Sequence, residues 1–110
     1  MIEITFEDED LLKLYNTKEC KNGKYKKLAK DRKFIEKFIE VVSIIAALEH
    51  ISDLSSFGRL HYEKLKYDYS GKSSVRIIHS RPERLIFKET PEGIAISILE
   101  LNLDHYGKLR

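Results

Sequence analysis

Apolar residues return every three or four positions along one stretch of this 110-residue chain: Phe34, Phe38, Val41, Ile45 and Leu48, with Ile35, Val42 and Ile44 widening the stripe. That period predicts an amphipathic helix from about Leu28 to His50, with Glu36, Lys37 and Glu40 toward water. Its longest nearly apolar run, Val41 to Leu48, is far short of the roughly 20 residues needed to span a bilayer, so the stripe reads as a core element.

Other segments supply the layer that such a stripe packs against. Ile2, Ile4 and Phe6 alternate with Glu3 and Thr5, as in a strand buried on one side. Carboxylates at Glu7 to Asp10 precede Leu11, Leu12, Leu14 and Tyr15, which predicts a short helix from Glu7 to Asn16. Lys18 to Gly23 reads as a loop with a turn at Asn22-Gly23, and Ser52 to Gly58 as a polar connection. Strands are predicted at Ser73 to Ile78, Arg84 to Lys88 and Ile94 to Leu101. The turns Ser80-Arg81-Pro82 and Thr90-Pro91-Glu92-Gly93 would join them into an antiparallel meander. Helices first and sheet after, with the first strand free to join, gives one α+β domain over residues 1–110.

With 42% hydrophobic and 35% charged residues and only five Gly and two Pro, the chain reads as a folded, soluble protein. The acidic start is unlike a signal peptide, so a cytoplasmic location without membrane association is expected. One cysteine, Cys20, excludes an intrachain disulfide, and the four histidines lack zinc-ligand spacing, so neither metal nor cofactor is expected.

Net charge is only +2, yet it is unevenly spread. Residues 59–88 contain Arg59, Lys64, Lys66, Lys72, Arg76, Arg81, Arg84 and Lys88 against Glu63, Asp68 and Glu83, while the first ten residues hold five carboxylates and no Lys or Arg. A basic face suited to a phosphate-rich partner follows, with Lys64, Lys66, Lys72 and Arg81 as candidate phosphate contacts. Arg76 and Arg84 lie in predicted strands, which would hold their guanidiniums rigidly. They share a sheet face only if the hairpin register has an even index sum, for instance with Ile78 opposite Arg84; an odd sum separates them. Arginines on a solvated sheet edge are the plainer alternative. After the last strand, Asp104-His105-Tyr106 offers three groups able to move protons.

Taken together, the segments resemble the HigB branch of the RelE/ParE toxins over nearly the whole chain. Leu65-Lys66-Tyr67-Asp68, Gly71 and Ser74-Val75-Arg76-Ile77 are similar to the family run Leu-Lys-Gly-Asp, Gly, Ser-Ile-Arg-Ile at matching spacing, with Tyr67 where the family has glycine. Glu83-Arg84-Leu85-Ile86-Phe87 resembles its aromatic-Arg-hydrophobic-X-Phe strand, after a turn longer by two. Met1-Ile2, Phe6 and Leu11 to Tyr15 resemble its start.

The resemblance implies a RelE-like fold of two N-terminal helices on a small, mainly antiparallel sheet of four or five strands. It implies a toxin that cuts mRNA in the ribosomal A site without a metal, is neutralised by a HigA-like helix-turn-helix antitoxin, and meets operator DNA only through that antitoxin. Lys66, Arg76 and Arg84 match positions that contact or stabilise the RNA phosphate, with Lys64 a weaker neighbour. The family ends Asp-Tyr-His where this chain has Asp104-His105-Tyr106, so either His105 or Tyr106 takes the acid/base place. A non-catalytic ParE-like inhibitor of DNA gyrase is the alternative on the same fold.

Overall fold

The computed structural model describes residues 1–21 and 23–103. Strand β1 (Glu3–Phe6) leads into helix α1 (Glu9–Thr17), and helix α2 (Arg32–Ala47) follows a single 3-10 turn at Leu28–Lys30. Two further 3-10 segments, Ile51–Ser56 and Gly58–Leu60, precede strand β2 (Glu63–Lys64). A 3-10 turn at Tyr67–Tyr69 then leads to β3 (Ser73–Arg76), β4 (Arg84–Glu89) and β5 (Ala95–Asn102). The five strands form one mixed sheet in the order β1-β5-β4-β3-β2. β1 runs parallel to β5, and the other neighbours are antiparallel.

Capping decides where the helices begin. Asp8 is the N-cap of α1, accepting from the amides of Asp10 and Leu11, and Asp31 caps α2 by accepting from the Phe34 amide. The continuous helix expected from Leu28 to His50 is therefore shorter. Asp31 takes an extended backbone (φ −95°, ψ 92°) that places its carboxylate on the orphan amide and interrupts the helical path. At the other end Leu48 is extended, and His50 opens a new 3-10 segment through a reciprocal pair of hydrogen bonds with Asp53. The stretch read as a polar connection thus contributes Ile51 and Leu54 to the core.

The core lies between α1 and α2 and one face of the sheet. Leu11 and Leu14 from α1, Phe34, Phe38, Val41, Val42 and Ile45 from α2, and Val75, Leu85, Phe87, Ile98 and Leu101 from the sheet are buried in one cluster. Fully burying such a side chain stabilises the fold by about 1.5–3 kcal/mol relative to exposure. Tyr25 ties the layers together: its hydroxyl donates to Asp8 Oδ2 at 2.8 Å and accepts from the Leu101 amide at 3.1 Å. Burial, with the carboxylate of Asp8 nearby, pushes the phenol well above its ordinary value of 10.0, so it stays protonated.

Strand alternation sends Val75 and Leu85 toward the helices and Ser74, Arg76, Arg84, Ile86 and Asn102 to the second face. A register shift at Ile86/Phe87 restores inward pointing for Ile98.

Candidate functional site: an arginine pair and a histidine pair

Arg76 stands directly opposite Arg84. The register has the even sum needed to bring both guanidiniums to one face, with Arg76 rather than Ile78 opposite Arg84. β3 stops at Arg76 because the chain turns there: Ile77 is buried, and the Arg81 amide bonds to the Ile78 carbonyl at 3.0 Å.

The two arginines sit differently. Arg84 is only 1% exposed. Its Nε donates to Ser74 Oγ at 2.8 Å, its Nη2 donates to the carbonyl oxygen of His61, and Glu63 lies 3.7 Å from the same nitrogen. Arg76 is partly exposed and donates from Nη1 to the carbonyl oxygen of His79 at 2.9 Å. Its buried Nε has no hydrogen-bond acceptor among the described residues. Each arginine therefore grips the backbone of one histidine.

The two histidines meet. His61 Nε2 lies 3.1 Å from His79 Nδ1, and the rings stack with centroids 5.0 Å apart. His61 itself is in the left-handed region (φ 46°, ψ 51°), where a side chain with Cβ is strained unless its surroundings hold it. Desolvation first, then the charges of Arg76, His79 and Arg84, hold its imidazole below the ordinary 6.5, against an opposing contribution from Glu63. Nearby on the same face, Asn102 Nδ2 donates to the Tyr69 hydroxyl at 3.1 Å.

The remaining predicted site residues do not join this group. Lys64 pairs with Ser73, one residue out of phase with the arginines, and lines an edge groove with Lys72, Leu65, Gly71 and Thr90. Lys72 also places its ammonium 5.3 Å from the centre of the Tyr69 ring. Lys66 is exposed before the 3-10 turn at Tyr67–Tyr69. Arg81 is engaged on the helix side, bonded to Asp31 Oδ2 at 2.6 Å and to both oxygens of Glu83, with its guanidinium 5.3 Å from the Phe34 ring centre. Asp104, His105 and Tyr106 lie outside the described residues.

Sequence reasoning missed His61 and His79. Eighteen positions apart, neither lies in a strand, and no local spacing marks them as neighbours. Tyr67 did carry a legible signal: it has φ 58° and is 92% exposed, a left-handed position where the resembled run has glycine. Among the described residues no group of three or more His, Cys, Asp or Glu is arranged to hold a metal ion, and no helix is long and apolar enough to cross a membrane.

No protein-family model and no curated protein matches this sequence. Among solved structures, the YoeB/ParE toxin from Agrobacterium tumefaciens is similar in fold: the superposition covers 93% of this chain and 98% of that one, with a TM-score of 0.52 and 14% sequence identity. At that identity the likeness is one of architecture, and this chain has the α+β fold of that toxin.

Proposed function

We propose that this chain is the toxin of a type II toxin–antitoxin module and acts as a ribosome-dependent endoribonuclease on mRNA. The observation that carries the reading is the cross-strand placement of Arg76 beside Arg84, on the sheet face opposite the one that packs on α1 and α2. The similarity in fold to a YoeB/ParE toxin adds support.

In the proposed reaction the RNA 2′-hydroxyl attacks the adjacent phosphate, and no metal is required. Arg76 stabilises the negative charge that grows on the phosphate oxygens; a well-placed donor of this kind is worth about 3 kcal/mol in the transition state. Arg84 is held inside by Ser74 and His61, so it acts by positioning and by its charge. Lys66 reaches toward the RNA backbone, with Lys64 and Lys72 along the edge groove. Of Asp104, His105 and Tyr106, one ring moves a proton. The ribosome orients the message, which accounts for weak action on free RNA, and a HigA-like helix-turn-helix antitoxin neutralises the toxin.

A ParE-like gyrase inhibitor is the second reading, favoured by the internal use of Arg84, which leaves one arginine of the pair for an anionic ligand. Translation of a defined message by purified ribosomes, with wild type, Arg76→Ala, His105→Ala and Tyr106→Phe, separates the two. Ribosome-dependent cuts lost in Arg76→Ala support the nuclease. Absence of cuts by folded wild type, with inhibition of gyrase supercoiling, supports the other.

A further inference from the structure

We propose that His61 is the general base of the cleavage reaction and that His79 is its positioning residue; this rests on the nuclease reading above. The two imidazoles are in direct hydrogen-bonding contact at 3.1 Å, and the charges of Arg76 and Arg84 act on His61. Both arginines spend a donor on holding the histidine backbones, Arg84 on the carbonyl of His61 and Arg76 on that of His79. His61 is kept in a left-handed conformation that costs free energy, and such outliers gather where geometry serves chemistry. Exposed rings packed only for stability would not need two arginines to fix their backbones.

The contact engages Nε2 of His61 and leaves Nδ1 as the nitrogen for the reaction. In the tautomer that this role requires, Nε2–H of His61 donates to Nδ1 of His79 and the lone pair of His61 stands on Nδ1. His61 Nδ1 takes the proton of the RNA 2′-hydroxyl as the 2′-oxygen–phosphorus bond forms and the phosphorus–5′-oxygen bond breaks. The 5′-oxygen takes its proton from His105 or Tyr106. The products are a 2′,3′-cyclic phosphate and a free 5′-hydroxyl, and solvent restores both protein groups. A base must be neutral to work. Desolvation, then the charges of Arg76 on β3, His79 in the following turn and Arg84 on β4, lower the pKa of His61 against the opposing carboxylate of Glu63 on β2, and so favour the neutral form.

The test is the pH dependence of cleavage on a translating ribosome, with wild type, His61→Asn and His79→Asn; asparagine tolerates the left-handed backbone at position 61. The expected result is a fall of roughly a hundredfold in rate for His61→Asn. For His79→Asn, the acidic limb of the profile should move to higher pH, because the repulsion between two protonated imidazoles, which lowers the pKa of His61, has been removed. NMR titration of the wild-type protein should show the His61 imidazole below its ordinary value of 6.5. Cleavage by His61→Asn within twofold of wild type, or a His61 imidazole that titrates at its ordinary value, overturns the assignment while leaving the nuclease reading intact. Failure of wild type to cleave any message overturns both.

Discussion

Arg84 and His61 are joined by a hydrogen bond from a buried guanidinium to a backbone carbonyl, and this bond decides how the two arginines of the sheet can be told apart by mutation. Arg84→Ala removes the partners of Ser74 Oγ and of the His61 carbonyl and leaves a hole in a closed layer. The expected cost is about 2–5 kcal/mol, from the cavity left by a large buried side chain and from the orphaned His61 carbonyl. Arg76→Ala, at a partly exposed position, should cost under about 1.5 kcal/mol yet lower cleavage about a hundredfold. Urea unfolding of both variants, beside the ribosome assay, checks the contrast; equal losses of stability would contradict it.

Arg81 and Asp31 should make stability depend on acid. Hydrogen bonds from Arg81 and from the Phe34 amide hold the Asp31 carboxyl below its ordinary value of 3.8. A carboxylate whose pKa is lowered by folding adds stability above its unfolded pKa, and that stability is lost as pH falls through the lower folded value. Unfolding midpoints measured from pH 6 to pH 2 should therefore fall below about pH 4. The fall should be shallower in Arg81→Gln, and parallel curves for the two proteins would count against the link.

Tyr25→Phe removes the acceptor of the buried Leu101 amide and the donor to the helix-capping Asp8. A loss of about 1–3 kcal/mol is expected, the usual cost of an orphaned buried donor. The amide of Leu101 should also exchange hydrogen faster in the variant. An unchanged melting temperature would show that the hydroxyl carries neither role.

Gly93→Ala should destabilise through two separate causes. The residue has φ 72°, and an added Cβ would collide with the His50 ring. The left-handed backbone alone costs an L-residue about 1–2 kcal/mol. Placing Gly93→Ala in a His50→Ala background should recover the steric part and leave the backbone part, so a double-mutant cycle by thermal unfolding separates them. No coupling in that cycle would remove the steric cause.

Tyr67→Gly should leave stability unchanged or raise it by up to about 1 kcal/mol, since relief of the left-handed strain offsets the greater freedom of glycine in the unfolded chain. The ring is 92% exposed and gives up little packing. A large drop in melting temperature would mean that the ring is held by contacts its exposure does not suggest.

Local pattern determined much of this protein. The period of Phe34, Phe38, Val41 and Ile45 marked the face that α2 buries, and the alternation around Val75 and Leu85 marked the strands of the sheet. These are signals that one element carries in its own sequence. The acidic residues before Leu11 likewise announced α1, whose cap is Asp8. Other features exist only once distant segments meet. Whether Asp31 would break the long helix depended on its carboxylate finding the Phe34 amide in competition with continued helix, and Arg81, fifty residues away, then bonds the same carboxylate. That β1 pairs in parallel with β5, that Arg76 falls opposite Arg84, and that His61 touches His79 all depend on register and on turn paths. Residue type told that these side chains could bind phosphate or move protons; only the folded sheet, which sets the distance between them, decided which could act together.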